Sequence, residues 1–222
     1  MIPDLSHTIT MIFDCDGVVL DSNRIKTEAF RTAAQPYGDA AAQALVDYHV
    51  TNGGVSRYVK FAYFLDHIVT DNAEVQTGPN LQSLLAVYAD TVLAGLMTCS
   101  VAEGLNELRL ATPQARWLIV SGGDQDELRE VFAARNLARF FDGGIFGSPE
   151  TKDAILTREI QAGNIRRPAV FLGDSRLDYE AAIGAELGFI FVADWSEWAD
   201  GKRLAREGSF AKVRSLTELL EL

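Results

Sequence analysis

Four short apolar runs constrain this chain more than any other feature: Thr8–Phe13, Arg116–Val120, Ala169–Leu172 and Phe189–Val192. Each has strand length, and each is continuous rather than alternating. A strand wetted on one face alternates polar and apolar residues. An unbroken run needs cover on both faces, as in a parallel sheet between helical layers. Helix-like segments separate the later runs. Asp124 with Glu127 forms a capping-box-like pair, Asp126 adds acid to the same turn, and together they predict a helix through about Ala134. Asp178 is read as opening a second helix that ends near Gly188, and Ser215 with Glu218 as opening a last one. This alternation from about residue 100 onward predicts an α/β protein with a right-handed, doubly wound, Rossmann-like parallel-sheet core.

The stretch 22–97 is different. Its apolar residues recur at helical spacing, as at Val55, Tyr58, Val59 and Ala62, and again at Leu81, Leu84, Leu85 and Tyr88. Breaks fall at Pro36-Tyr37-Gly38, Asn52-Gly53-Gly54 and Thr77-Gly78-Pro79. The pattern predicts an all-helical cap inserted after the first strand, with residues 1–21 and 98–222 forming the core and 22–97 the cap.

A chain of 222 residues has room for such a core plus a smaller unit. Its net charge of −11 disfavours nonspecific binding to nucleic acid or to an anionic membrane surface. It leaves an anionic substrate open, because local groups set the field inside a pocket. No run approaches the length of a membrane span, no basic-then-apolar leader opens the chain, and two cysteines make no disulfide framework. A reducing cytoplasm is the expected compartment, and a monomer or homodimer the expected state.

Chemistry-bearing residues follow the apolar runs. The first run leads into Asp14-Cys15-Asp16-Gly17, the second into Ser121-Gly122-Gly123, and the third into Gly173-Asp174 with Asp178. Lys152 opens a helical segment between the last two. Strand ends on one edge of a parallel sheet converge on a crevice. Asp14 and Asp16, two residues apart on extended chain, can face one small volume, and two carboxylates held together repel unless a cation or proton sits between them. Carboxylates suit Mg²⁺, while a hydroxyl, backbone N–H groups and an ammonium suit phosphate oxygens. Cys15 is read as a buried filler. The three histidines, His7, His49 and His67, have no metal-ligand spacing and no assigned role. Tyr58, Phe61, Tyr63 and Phe64 are read as cap core.

In the order and spacing of these motifs the sequence resembles the haloacid dehalogenase-like hydrolase superfamily, in its branch of phosphoglycolate phosphatases, β-phosphoglucomutases and related sugar phosphatases. The resemblance covers nearly the whole chain. It implies a Mg²⁺-dependent phosphatase acting on a small phosphorylated metabolite. Asp14 would attack phosphorus to give an aspartyl-phosphate, and Asp16 would protonate the leaving oxygen and then activate water. Asp14, Asp174 and the Asp16 backbone carbonyl would hold the metal. Ser121 and the Gly122 amide would bind the phosphoryl group, Lys152 would neutralise it, and Asp178 would orient Lys152 or a metal-bound water. Gly53-Gly54-Val55-Ser56-Arg57 resembles the loop that such caps place over substrate, which makes Arg57 and Lys60 candidates for the leaving group's carboxylate or hydroxyls. Two departures stand out: Asp153 follows Lys152 where many relatives have proline, and Cys15 sits where a bulkier apolar residue is common.

Two other functions remain open on the sequence. A phosphomutase would share the intermediate but pass the phosphoryl group to a second hydroxyl, a difference that lies in cap closure. A receiver-like phospho-acceptor also carries aspartates at strand ends, yet would not need about 75 inserted residues over its site. Dehalogenase chemistry would need neither Asp16 nor a metal.

Overall fold

The computed structural model describes residues 5–74 and 77–221. Its sheet has six parallel strands: β1 (Thr10–Phe13), β2 (Arg116–Asp124), β3 (Gly144–Ser148), β4 (Ala169–Gly173), β5 (Gly188–Val192) and β6 (Ala211–Val213). Their spatial order is β3-β2-β1-β4-β5-β6, with β1 central and in register with both neighbours: Phe13 lies opposite Ile119 and Leu172. Side-chain alternation splits the sheet between two cores. Met11 and Phe13 point into one with Trp117 and Leu172, and Ile12 into the other with Leu118 and Phe171. Helix α7 (Gln125–Ala134) closes the first face through Leu128, Val131 and Phe132. Helices α8 (Lys152–Gln161) and α9 (Arg176–Gly184) close the second through Ile155, Leu156, Ala181 and Ala182. Cover on both faces is why the strands read as continuous apolar runs.

Six α-helices lie between β1 and β2: α6 (Leu105–Ala111), just before β2, and ahead of it a group of five, α1 (Asn23–Ala34), α2 (Asp39–Thr51), α3 (Arg57–Tyr63), α4 (Val69–Asn72) and α5 (Leu81–Leu96), with a π-helical turn at Phe64–Ile68 joining α3 to α4. The group of five packs around Phe30, whose ring lies 5.0 Å from Phe61 and 4.4 Å from Tyr88. The two passages between sheet and helices run side by side. Asp21 N–H donates to Ser100 O at 3.0 Å, and Ala102 N–H to Val19 O at 2.9 Å.

Several local expectations are corrected. Strands β3 and β6 have no counterpart among the four apolar runs: β3 is rich in glycine and small residues, and β6 is three residues long. Helix α9 starts two residues before Asp178. Ser175 is its cap, and Asp178 closes a capping box from the N3 position. The last helix is only a 3₁₀ turn, Thr217–Leu220, in which the Glu218 carboxylate accepts the Arg214 N–H instead of capping Ser215. Phe61 and Phe64 are buried, whereas Tyr58 and Tyr63 are more than one-third exposed. Asp124 does cap α7, accepting the Asp126 and Glu127 N–H groups at 3.1 Å each.

Candidate active site

The strand order reverses at β1: the chain lays β2 and β3 on one side, then crosses to place β4 on the other. Ligand sites lie beyond the strand ends at such a reversal, and both chain ends there are acidic. Asp14 follows β1, and its N–H extends the ladder to Leu172 O at 2.9 Å. Asp174 follows β4. Asp14, Asp174 and Asp178 each offer a carboxylate oxygen, and these oxygens lie within 4.8 Å of one another, all buried. Gly17 makes the approach possible. Its φ of +73° is left-handed, and a Cβ there would fall 2.1 Å from Asp174 Oδ2.

Lys152 enters the cluster from the first turn of α8. Its Nζ lies 3.1 Å from Asp14 Oδ1 and contacts Asp178 Oδ1 more closely still. The second Asp178 oxygen accepts the Ser175 N–H at 3.0 Å, the Ser175 hydroxyl at 2.7 Å and the Asp174 N–H at 3.2 Å. Asp178 is thus fully used in fixing Lys152 and the turn after β4, which leaves Asp14 and Asp174 as the carboxylates free to take a cation.

One ammonium cannot balance three buried carboxylates. Burial, then the Asp178 charge, push Asp14 up to about 7 against the pull of Lys152. Burial, Asp14 and Asp178 raise Asp174 as well. Burial alone would lower Lys152, but Asp14 and Asp178 hold its ammonium above the usual range. A hard dication among these oxygens would offset the repulsion, so the donor set fits Mg²⁺.

Asp16 leaves this cluster because the chain turns at Gly17. Its Oδ1 accepts the Ser22 hydroxyl at 2.6 Å, and its Oδ2 pairs with Lys26 Nζ. Burial opposes the charge on Asp16, but Lys26 and Ser22 outweigh it and keep the carboxyl below its ordinary range. Asp14 and Asp16 still line one cleft of about 330 Å³, together with Gly122, Asp174, Arg57 and Lys60. Ser121 is fully buried, with its hydroxyl accepting the Gly123 N–H at 3.0 Å.

The helices between β1 and β2 close directly over this cleft. A Cβ on Gly122 would fall 2.1 Å from Gly54 O, so the Gly53–Gly54 loop lies against the turn after Ser121. Arg57, which lines the cleft, sends two guanidinium nitrogens to Glu127 on α7, at 2.9 and 2.5 Å. Tyr58 OH donates to Asp124 Oδ2 at 2.6 Å. Both contacts join α3 to the first turn of α7. Glu127→Gln is therefore expected to loosen this closure by about 2 kcal/mol, since it leaves a buried guanidinium without its charge partner. Faster protease cleavage near Gly53–Gly54 is the readout, and an unchanged cleavage rate would mean that the pair does not hold α3 down.

Sequence reasoning missed four residues. Asn23 and Lys26 stand one turn apart on α1. Asn23 Nδ2 donates to Asp174 Oδ2 at 2.7 Å and to Trp195 O at 2.9 Å, while Lys26 holds Asp16. Their i, i+3 spacing just after Ser22 was a usable signal. In the sequence Glu127 reads only as a capping residue. His49 lines the cleft and touches Lys60, a pairing across two helices that leaves no trace in local spacing.

Residues 10–186 match the haloacid dehalogenase-like hydrolase family. No sequence among curated proteins matches the chain. Among solved structures, it is similar to a predicted phosphoglycolate phosphatase from Haemophilus somnus, with a TM-score of 0.76, 15% identity and coverage of 96% of this chain and 97% of that one. A Thermotoga maritima protein provisionally named a β-phosphoglucomutase aligns with a TM-score of 0.65 and 20% identity over 96% and 99% of the two chains. CbbY from Rhodobacter sphaeroides, in complex with phosphate, aligns at 0.68 and 16% over 96% of each. At such identities the three structures establish a shared fold.

Proposed function

The chain belongs to the haloacid dehalogenase-like hydrolase family, and from that premise we propose that it is a Mg²⁺-dependent phosphatase of a small phosphate monoester, a sugar phosphate or a phosphoglycolate-like ester. The observation that carries this reading is the buried grouping of Asp14, Asp174, Asp178 and Lys152 at the point where the strand order reverses, below a cleft of about 330 Å³. A cavity of that size takes a small metabolite. In this reading residues 1–21 and 98–222 are the catalytic core and 22–97 the cap.

Asp14 is the nucleophile. Its carboxylate oxygen attacks phosphorus and the ester oxygen leaves, giving an aspartyl-phosphate. Lys152 holds the Asp14 carboxylate in place and offsets charge as the phosphoryl group arrives. Ser121 and the Gly122 amide are assigned to the phosphoryl oxygens. Asp16 delivers a proton to the leaving oxygen and later takes one from the attacking water. Because Lys26 holds Asp16 on the ionised side, Asp16 first takes up a proton from solvent and passes it to the leaving oxygen, and the proton it later takes from the attacking water restores it. Asp14, Asp174 and the Asp16 carbonyl are the proposed metal ligands, and Mg²⁺ bound there supplies positive charge against an anionic substrate. Asp178 keeps Lys152 aimed at Asp14.

The test is release of inorganic phosphate from p-nitrophenyl phosphate. Chelation with EDTA is expected to lower the rate about a hundredfold, with recovery when Mg²⁺ is returned in excess. Full turnover in EDTA would exclude the metal from the reaction.

One observation favours a second reading. Gly54 sits close over Gly122, and a phosphomutase needs such closure of the insert to keep water from its intermediate. Incubation with a hexose 1-phosphate separates the two: free phosphate marks the phosphatase, and hexose 6-phosphate the mutase. No membrane-crossing helix exists among the described residues, and we take a cytoplasmic enzyme, monomeric or homodimeric, as the working picture.

A further inference from the structure

Lys60 has an unusual position for a charged side chain. It lies on α3, is 1% exposed, lines the cleft, and has no carboxylate within ion-pair distance among the described residues. The other cations lining the cleft are engaged, Lys26 by Asp16, Arg57 by Glu127 and Arg176, at the exposed rim, by Glu180. Glu197 also lines the cleft, but its carboxylate is hydrogen-bonded to Thr27 and feels Arg24 as well as Lys60. The polar partner of Lys60 is His49, with Nζ to Nδ1 at 2.7 Å.

Burial, then the charge of Lys26, pull Lys60 down to about 7. In its ammonium form, which an anion in the cleft would favour, Lys60 donates and cannot accept, so Nδ1 is the acceptor and the imidazole proton sits on Nε2. His49 is about nine-tenths buried, and its Nε2 has no hydrogen-bond partner. Burial, with the charges of Lys60 and Lys26, keeps the ring neutral. Lys60 itself has hydrogens left over: besides His49 Nδ1 it meets only the His49 carbonyl, at 3.5 Å, and the Phe30 ring, 5.4 Å from its centroid. Buried donors without acceptors are rare in folded proteins, and each calls for a missing partner.

We propose that Lys60 and His49 form an oxyanion subsite for the leaving group, so that the preferred substrate carries a second anionic group, a carboxylate or another phosphate, besides the phosphoryl group that is transferred. This inference rests on the phosphatase reading and adds the class of leaving group to it. A neutral polyol would accept hydrogen bonds from the same donors but would do nothing to favour the charged form of Lys60 against burial, whereas an anion would.

Two pairs that differ by one anionic group test it: 3-phosphoglycerate against glycerol 3-phosphate, and fructose 1,6-bisphosphate against fructose 6-phosphate. Losing one charge-assisted hydrogen bond corresponds to about tenfold or more in kcat/KM. The wild-type enzyme is expected to favour the more anionic member of at least one pair by that factor, mainly through KM, and the favoured pair identifies the anion. Lys60→Met is expected to bring that ratio close to one. His49→Phe, which keeps the ring volume, serves the same purpose should Lys60→Met not fold. A wild-type ratio near one for both pairs, or a preference that survives in the variants, overturns the subsite while phosphate release itself stands. Absence of release from every ester, p-nitrophenyl phosphate included, brings down the phosphatase reading and the subsite with it.

Discussion

Asp14→Asn is expected to lower phosphate release more than about 10⁴-fold, the scale on which an enzyme loses its nucleophile. Asparagine keeps the shape of the side chain and can still accept the Cys15 N–H now bound at 2.8 Å. It has no carboxylate oxygen to attack phosphorus and no negative charge for a cation. Stability should behave in the opposite way. Burial and Asp178 already push the Asp14 carboxyl up to about 7, so ionising it in the folded protein is unfavourable at slightly alkaline pH. Removing that charge is expected to leave the thermal midpoint at pH 8, without metal, at or above the wild-type value. Initial rates with p-nitrophenyl phosphate and a melting curve check both halves. An Asp14→Asn enzyme that keeps more than about one hundredth of its activity would remove Asp14 from the chemistry.

Lys152→Met carries the second largest expected effect. The ammonium is buried with Asp14 and Asp178, and its loss leaves like charges facing each other with no internal countercharge. Breaking a buried ion pair from one side costs about 3–5 kcal/mol. Activity is expected to fall about 10³-fold, the upper range for one lost electrostatic contact to a developing charge. The stability deficit has a pH signature. Lys152 pulls the Asp14 pKa down, so without it the folded carboxyl holds its proton still more tightly. A carboxyl whose folded value is raised loses stability as pH climbs from the unfolded value, about 4, through the folded one. Both proteins lose stability in parallel from about pH 4, so urea unfolding in chelator should show a deficit relative to wild type that grows above about pH 7, where wild-type Asp14 ionises and the variant's stays protonated. A pH-independent deficit would point to lost packing rather than lost charge.

The sheet was legible where burial is two-sided. The runs before Asp14, Ser121 and Asp174 are apolar because helices cover both faces, and they became β1, β2 and β4. The run Phe189–Val192 became most of β5. Strand β3 was hidden by Gly144 and Gly147, which contribute no side chain to a hydrophobic pattern, and β6 by its length. The meeting of Asp14 with Asp174 was readable because strand-end motifs in a parallel sheet converge whatever the loops do. What the insert does over the site was not. Arg57 is a substrate candidate because its loop resembles the one such caps place over substrate, and it lines the cleft, but its pairing with Glu127, 70 positions away along the chain, has no local signal. Lys60 with His49 and Lys26 with Asp16 are likewise products of helix packing. The hydrolase family match sets aside the receiver-like alternative.

The central claim is that Asp14 becomes transiently esterified to phosphorus. Its most direct test is rapid quenching of the enzyme during turnover, reduction with borohydride, which converts an acyl phosphate to an alcohol, and mass analysis of the peptide that holds Asp14. The account expects reduction at Asp14 in the presence of substrate and Mg²⁺, and none at Asp16, Asp174 or Asp178. An unreduced Asp14 in an enzyme quenched while releasing phosphate, or reduction at another carboxylate, would contradict it.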